Sequence, residues 1–307
     1  NESVLDGIKK MIPLAPLHNP ANLTGIETTL KKAANIPQIA VFDTAFHQTI
    51  PAQAFHYALP KALYEQDKIR RYGFHGTSHF YVAKQAAKFL NKTLDSLNLI
   101  VLHLGNGASA TAIKQGKSVD TSMGMTPLEG LVMGTRSGDI DPAIPFYLNR
   151  NKAMSNQEID TLLNKHSGLK GICGENDMRA VQRLADSGDK NAQLALDIYC
   201  YRIKKYIGAY FAVLGQVDAL IFTGGIGENS AYIREKSCAD LRLFGLELDT
   251  EKNIDHKRNT ADISRQGSPV SILVIPTNEE LEIALQSKLC IQFDAGNEIK
   301  PHFQQQQ

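Results

Sequence analysis

LIVLHLGNGASATAIKQG, residues 99–116, is the stretch that decides the fold of this 307-residue chain. The apolar run at residues 99–102 predicts a buried strand, and Gly105-Asn106-Gly107 predicts a tight turn. Residues 108–113 predict a return strand that ends at Gln115-Gly116. A glycine hairpin of this kind can direct successive backbone N–H groups at one anion. For these glycines alone, an ordinary tight hairpin is the simpler interpretation.

A second apolar segment also runs into glycines, because Ala219–Thr223 precedes the sequence GGIGEN at residues 224–229. Two strands that each end in a glycine turn predict a nucleotide held by loops from both strands. Elsewhere the apolar patterns of strands alternate with those of helices, which indicates an α/β fold.

The composition argues against several classes of partner. The chain has 33 basic and 32 acidic residues without a basic run, which argues against nucleic acid. No apolar segment approaches the ~20 residues that span a bilayer, so we expect no membrane partner. Four widely spaced cysteines and a start without signal-peptide features predict reduced thiols in a cytoplasmic protein.

Capping residues and apolar patterns predict most of the other elements. Helices are expected at 21–33 after Asn19-Pro20, at 80–90 with Ser78 as N-cap, from the Ser155/Glu158 capping box to 165, from Asp189 to 214, at 231–241, and from Asn278 to 290. Short strands are expected at 39–42 and 270–275. Residues 119–142 predict a structured loop, 174–179 a polar loop, and the residues beyond 294 a disordered tail.

Several polar residues are candidates for chemistry. Asp43 follows the predicted strand 39–42, where ligands gather in α/β sheets, although a turn or cap aspartate is an equal alternative. His75 and His79 have the spacing of a zinc pair, but Gly76 opposes a helix there, so an anion site near a helix start is the better interpretation. His18, just before a helix cap, is more often a packing residue.

Arg136 lies among small residues in the sequence GTRSG, so a ligand can approach its guanidinium closely. The alternative is a structural ion cluster in which Asp139 and Asp141 pair with this arginine.

Six ordered blocks that lie between Pro13 and Ala284 resemble the acetate kinase family. They are VFDTAFHQTIP (41–51), RRYGFHGTSH (70–79), HLGNGAS (103–109), DTSMGMTPLEGLVMGTRSGDIDP (120–142), FTGGIGENS (222–230) and PTNEEL (276–281). The resemblance implies a two-domain, ribonuclease-H-like α/β fold of the actin-type ATPase superfamily, with the first domain incomplete. Residues 1–45 and 280–307 would be the remainder of that first domain, and 46–279 the second, nucleotide-binding domain.

The same resemblance implies a reversible transfer of phosphate from ATP to acetate, giving acetyl phosphate and ADP. It also implies Mg²⁺, with Mn²⁺ as an alternative ion, and a cytoplasmic homodimer. Asp43, His75 and Arg136 match the catalytic residues, and Glu279 matches the magnesium ligand. The ATP-binding matches are His103, Leu104, Gly105, Asn106, Gly107, Asp177, Met178, Arg179, Gly225, Ile226, Gly227, Glu228 and Asn229. His18, Phe74 and Pro127 match residues that line the acyl pocket.

Two blocks of the family pattern are not in this sequence. They are an initial strand with a turn of the Asn-x-x-Ser-Ser-Ser-Leu-Lys type, and a later His-Arg-Val-Val-His-Gly-Gly block. Loss of electrostatic groups of this kind costs ~10²-fold or more in rate for each group, so we expect these 307 residues by themselves to be nearly inactive.

Three other functions are compatible with the sequence. A propionate or butyrate kinase differs only in a small pocket, and one methylene is worth ~1 to 3 kcal/mol. A non-enzymatic nucleotide switch would need less chemistry than Asp43, His75 and Arg136 supply. A nucleotide-binding remnant without catalysis is the third alternative.

Overall fold

The computed structural model describes residues 2–12, 19–255 and 259–294. Contacts between residues divide the chain into two units. The smaller unit contains the described residues of Asn1–Phe42 and Glu280–Gln307, and the larger unit is Asp43–Glu279. The boundaries of the two predicted domains are close to those of the two units, and the domain assignment itself remains a prediction.

The larger unit is built on six strands and most of the helices. The strands are β1 (Asn98–Leu104), β2 (Ala108–Lys114), β3 (Lys117–Thr121), β4 (Ala219–Thr223), β5 (Ala261–Asp262) and β6 (Ser271–Val274). The helices, numbered over both units, are α1 (Glu2–Lys10), α2 (Asn19–Lys32), α3 (Ala52–Phe55), α4 (Lys61–Asp67), α5 (Gly76–Phe89), α6 (Ala143–Lys152), α7 (Asn156–Lys165), α8 (Gly168–Cys173), α9 (Met178–Asp186), α10 (Lys190–Leu214), α11 (Gly224–Asn229), α12 (Ala231–Cys238), α13 (Thr250–Asp255) and α14 (Glu279–Asp294).

One sheet with the order β3-β2-β1-β4-β6-β5 forms the centre of the larger unit. β1, β2 and β3 form an antiparallel meander, whereas β4 runs parallel to β1, and β6 runs parallel to β4. His103 of β1 lies beside Thr223 of β4, so the two glycine segments that follow these strands leave the same edge of the sheet. This mixed α/β architecture agrees with the predicted fold class.

Both faces of the central strands are covered, which explains their continuous apolar sequence. Ile100, Leu102 and Leu104 lie in the buried cluster that also contains the inward side of α10. Successive side chains of a strand point to opposite faces, so Leu99 and Val101 lie on the other face, and both are fully buried. α5 packs against β1 as well.

Most of the predicted elements are confirmed. β1 and β2 form the expected antiparallel hairpin, and β4 and β6 lie where strands were expected. The capping box of Ser155 and Glu158 is complete at the start of α7. Asp189 caps α10, which ends at Leu214 before Gly215. The helices predicted at 231–241 and 278–290 appear as α12 and α14.

The strand predicted at 39–42 is wrong. Within the described parts of the chain no other strand pairs with these residues, and Phe42 is 47% exposed. An apolar run forms a strand only where a ladder partner takes its backbone hydrogen bonds, and the sequence of the run does not reveal the partner.

The N-cap predicted at Ser78 is also wrong, because α5 begins two residues earlier at Gly76 with His75 as its N-cap. Ser78 lies inside the helix, where its hydroxyl bonds to the side chains of His103 and Thr277. Several elements were not predicted, among them α3, α4, α6, α8, α13 and β5. Part of the expected loop forms β3, the GGIGEN turn forms α11, and α9 follows the polar loop at 174–177.

In the smaller unit, α1 and α2 pack together, and Lys9 forms an ion pair of 3.4 Å with Glu27. α2 confirms the helix expected at 21–33 and begins two residues earlier, at Asn19. His18 and the predicted tail beyond Asp294 lie outside the described residues. Among the helices that the structure describes, none combines the length and the apolar composition needed to cross a lipid bilayer.

Candidate active site

Asp43 is held against the first turn of α5. Its carboxylate Oδ2 accepts a hydrogen bond of 2.6 Å from the backbone N–H of His75, and its carbonyl accepts one of 2.8 Å from Gly76. A Cβ on Gly76 would lie 2.3 Å from the Asp43 carbonyl oxygen, so only glycine permits this contact. Asp43 therefore does cap a helix start, as the alternative interpretation expected, and it is fixed beside His75 at the same time.

His75 and His103 stack their rings, with 4.2 Å between the ring centroids and 24° between the planes. Each ring has its Nδ1 bonded to a serine hydroxyl, at 2.9 Å from Ser109 for His75 and 2.8 Å from Ser78 for His103. Ser78 also bonds to the hydroxyl of Thr277 at 2.7 Å. Both Nε2 atoms are left to face the glycine hairpin.

Burial keeps the histidines of this region neutral. It lowers the pKa of His75 to about 4, with the charge of Arg136 adding to the effect. It lowers the pKa of His103 to about 3 and that of the fully buried His47 to about 4. The pKa of His79 is also well below its ordinary value. Neutral imidazoles can each donate one N–H, so these rings act as dipolar donors near neutral pH.

The space above Gly107 is where two donors converge. A Cβ built on this glycine would lie 3.5 Å from Nη1 of Arg136 and 3.5 Å from Nε2 of His75. Within the turn, Gly105 donates its N–H to the Gly107 carbonyl at 2.9 Å, which closes the hairpin tightly. A guanidinium and an imidazole N–H at one open glycine form an arrangement that suits an anion.

Arg136 is half-buried, and burial lowers its pKa. Its Nη1 contacts the Pro127 carbonyl at 3.4 Å and the Met133 sulfur at 3.6 Å, and no ion pair joins it to any carboxylate in the described ranges. A half-buried guanidinium without a counter-ion is electrostatically suited to attract one.

The alternative ion cluster around Arg136 is wrong. Asp139 instead contacts Arg202 at 3.5 Å, accepts from the Tyr206 hydroxyl at 2.8 Å, and accepts from a backbone N–H at 2.7 Å. Asp141 accepts from the backbone N–H of Ala143 at the start of α6.

Glu279 is a half-buried carboxylate whose pKa is raised by burial and by the negative charge of Asp43. Two carboxylates that repel each other attract a divalent cation, and Mg²⁺ is commonly held by one or two carboxylates together with substrate phosphates. No cluster of three or more metal-binding side chains occurs in the part of the chain that the structure describes. The residues present therefore fit a magnesium ion that arrives with a nucleotide.

The second glycine segment lies beside the hairpin. A Cβ on Gly224, whose φ is +76°, would lie 2.8 Å from the Leu104 carbonyl oxygen. The Glu228 carboxylate accepts from the backbone N–H of Gly224 at 2.9 Å and from that of Thr277 at 3.1 Å. Glu228 therefore connects α11 to the PTNEEL loop. Gly225 is exposed, with open space where a side chain would be.

The polar loop at 174–177 also reaches the hairpin, because Asn176 donates to the side chain of Asn106 at 3.3 Å. Asp177 caps α9 and forms an exposed ion pair of 2.5 Å with Arg179. Hydrogen bonds from Arg179 lower the pKa of Asp177 to about 2. Met178 is buried, and its side chain belongs to the core.

The three candidate acyl-pocket residues have different positions. Phe74 precedes His75, is half-buried, and its carbonyl accepts from His47 Nε2 at 3.0 Å. Pro127 lies at Arg136 through its carbonyl. His18 lies outside the described residues.

Sequence reasoning missed several residues that hold the site together. Ser109, the last residue of the HLGNGAS block, bonds to both His75 and His79. Arg71 donates to three consecutive backbone carbonyls at residues 121–123 and to Glu129 at 2.6 Å. Arg234 is fully buried beneath α11. Nothing in a single sequence distinguishes such arginines from exposed ones, because most of their acceptors are backbone carbonyls.

Comparisons with known proteins agree with this geometry. The acetokinase family model matches residues 1–285. The acetate kinase of Syntrophobacter fumaroxidans is 58% identical over 287 residues, covering 94% of this chain and 70% of that relative. The acetate kinase of a Sulfurovum species is 59% identical over 292 residues, covering 95% and 74%.

Solved structures give the same result. The crystal structure of Porphyromonas gingivalis acetate kinase has a TM-score of 0.91 and 45% identity, covering 95% of this chain and 73% of that one. A propionate kinase from Francisella tularensis has a TM-score of 0.88 and 51% identity, covering 92% and 72%. Because the family model matches residues 1–285 of its 307 residues, this chain belongs to the acetokinase family.

Proposed function

We propose that this protein transfers the γ-phosphoryl group of ATP reversibly to acetate, giving acetyl phosphate and ADP. The proposal rests on the convergence of Arg136 and His75 above Gly107, in a chain of the acetokinase family. In the forward direction, an acetate oxygen forms a bond to the γ-phosphorus while the bond to the bridging oxygen of ADP breaks.

The repulsion between two anions explains why the site needs these donors. Two unit charges ~4 Å apart repel by ~4 kcal/mol at an effective dielectric near 20. Arg136 and the His75 N–H would neutralise charge on the equatorial oxygens during transfer, where such donors are most effective. Acetate is already ionised near neutral pH, so no general base is required. Asp43 would then orient the first turn of α5 and groups around the phosphates.

A magnesium ion would be held by Glu279 with the nucleotide phosphates, and it would supply further neutralisation of their charge. The repulsion between Asp43 and Glu279 supports this assignment. Mn²⁺, with the same preference for oxygen ligands, is expected to substitute.

The nucleotide would lie along the shared edge of β1 and β4. We assign its phosphates to the segment from His103 to Gly107, and its adenosine to Gly225–Asn229. The contact between Gly224 and Leu104 supports one continuous ligand surface there. Asp177, Met178 and Arg179 would lie beside the nucleotide as well, with Asp177 and Arg179 neutralising each other and Met178 buried in the core.

Acetate is the preferred acceptor in this proposal, supported by relatives named acetate kinase at 58–59% identity. A structure named as a propionate kinase is also similar, at 51% identity. Phe74, Pro127 and His18 would border the acyl group. A homodimer in the cytoplasm completes the proposal, on the implication of the family alone, and sedimentation analysis and cell fractionation test it.

The test is acetyl phosphate formation, trapped as the hydroxamate, with ATP, Mg²⁺ and acetate, propionate or butyrate. The intact mass of the assayed protein is recorded, because we expect the 307 residues by themselves to be nearly inactive. We expect acetate to be the best acceptor. Asp43→Asn, His75→Ala and Arg136→Ala should each lower the rate by ~10²-fold or more.

The matched control is Arg150→Ala, which removes an exposed arginine from the last turn of α6. This variant should retain full activity. Nucleotide turnover at a rate that does not depend on the acyl acid would refute the kinase activity and favour a nucleotide switch.

A further inference from the structure

Ser109 is a fully buried residue of β2 whose hydroxyl touches two histidines. Its Oγ lies 2.9 Å from Nδ1 of His75 and 2.7 Å from Nε2 of His79. A serine hydroxyl has one proton and two acceptor lone pairs, so it can donate to only one of these rings. Accepting from both rings would leave its own buried O–H without an acceptor among the described residues, so it donates to one ring and accepts from the other.

His79 decides the direction of this chain of hydrogen bonds. The ring is fully buried in α5, and within the described residues its Nδ1 has no hydrogen-bond partner. A proton on Nδ1 would be a buried N–H donor without an acceptor, which costs more than an unpaired lone pair. The proton of His79 therefore belongs on Nε2, where it is donated to Ser109.

The direction at His79 fixes the tautomer of His75. Because Ser109 accepts from His79, its own proton is donated to Nδ1 of His75. Nδ1 then has no proton, and a neutral His75 must carry its proton on Nε2. That nitrogen is the atom that faces the open space above Gly107, 3.5 Å from a Cβ placed there.

We propose that His79 and Ser109 are positioning residues that set His75 as an Nε2–H donor toward the transferred phosphoryl group. The inference rests on the proposed function for its target, because it names what directs the proton of a residue assigned to that reaction. The opposite tautomer would present a lone pair to the phosphoryl oxygens and repel them. Burial, which keeps both rings neutral, makes the choice of tautomer decisive.

A nearby serine and histidine pair provides a matched control. Ser118 is also fully buried, and its hydroxyl bonds to Nδ1 of His47 at 2.9 Å. The neutral His47 donates its one ring proton, on Nε2, to the Phe74 carbonyl, so its Nδ1 accepts from Ser118, and the fully buried ring faces no open space. Ser118→Ala therefore removes the same kind of serine–histidine hydrogen bond, but from a ring whose tautomer has no role in phosphoryl transfer.

The kinetic test compares Ser109→Ala, Ser109→Thr and Ser118→Ala. Ser109→Ala should lower kcat by ~10-fold or more with a small change in the KM for ATP, because the interaction acts on the transferred group. Ser109→Thr keeps the hydroxyl and should recover most of kcat despite crowding of the core. Ser118→Ala should keep kcat within about twofold. Equal losses of kcat in Ser109→Ala and Ser118→Ala would overturn the inference.

The tautomer itself is read by nitrogen NMR of the unchanged protein labelled at histidine, with the His75 signals identified by their absence in His75→Gln. We expect a protonated, pyrrole-type Nε2 and an unprotonated Nδ1. A protonated Nδ1 overturns the inference even if the protein is a kinase. The expected tautomer in a protein that forms no acetyl phosphate would leave the His79–Ser109 arrangement standing and refute the proposed function instead.

Discussion

Acid is expected to destabilise the larger unit through its buried histidines, and His47 allows the clearest test. Its side chain is 1% exposed, and burial lowers its pKa from 6.5 to about 4 in the folded protein. The unfolded chain therefore binds the proton more readily than the folded one. The free energy of unfolding has its full value above the unfolded pKa of 6.5 and decreases as the pH falls toward 4.

The size of the effect follows from the two pKa values. Between about pH 7.5 and about pH 5, one histidine with these values lowers the free energy of unfolding by about 2 kcal/mol. Solvent does not screen a side chain with so little exposure, so we expect the full effect on the free energy of unfolding. His75 and His103 shift in the same direction, and they add to the loss.

The assay is urea unfolding at several pH values, followed by far-ultraviolet circular dichroism because the chain contains no tryptophan. His47→Gln should reduce the difference between pH 7.5 and pH 5 by about 2 kcal/mol, whatever its stability at neutral pH. Thr49→Val is the control, since it removes a hydrogen bond of 2.8 Å to the Ser118 carbonyl and no titrating group. An unchanged pH dependence in His47→Gln would refute the reasoning.

Three further predictions concern the site and its support. Arg136→Lys should lower kcat by ~10²-fold in the acetyl phosphate assay. The urea midpoint should not fall, because Arg136 has no ion pair to lose within the described residues. A fall in kcat together with a fall in the urea midpoint would contradict this prediction. Gly107→Ala should lower kcat/KM for ATP by ~10-fold while folding normally, since the added methyl enters the space between Arg136 and His75 at ordinary contact distance; Gly208→Ala, with open space around it on α10, is the control. Arg234→Lys should weaken ATP binding by ~10-fold in calorimetry, because the Arg234 guanidinium donates to the Gly227 and Glu228 carbonyls at 2.9 and 3.0 Å; an unchanged dissociation constant would mean that α11 keeps its position without those bonds.

The sequence predicted the parts of the fold that local chemistry determines. The β1–β2 hairpin follows from an apolar run and the turn at Gly105 and Gly107 that comes after it. The start of α7 follows from the capping side chains of Ser155 and Glu158. The strand expected before Asp43 failed because pairing depends on a distant partner. Ser78 has the sequence context of a helix cap, but its hydroxyl bonds to His103 and Thr277, which are 25 and 199 residues away in the chain.

In the candidate site too, the sequence indicated the residues that belong to motifs but not the contacts between distant residues. Motifs indicated Asp43, His75 and Arg136, and the structure holds Asp43 beside His75 and His75 beside Arg136. Asp139 looked like a partner for Arg136 on spacing alone, yet Arg202 lies closer to it in space. The direction of the Ser109 hydrogen bonds depends on Nδ1 of His79, which has no partner among the described residues, and no sequence pattern indicates this.

Phosphorus NMR of the protein with ATP and Mg²⁺, in the presence and absence of acetate, tests the central claim most directly. We predict an acetyl phosphate signal that grows only with acetate and matches the ADP formed. Arg136→Ala should slow its growth by ~10²-fold, with ATP still bound. Release of inorganic phosphate at a rate independent of acetate, or an Arg136→Ala rate within about threefold of the unchanged protein, would contradict the account.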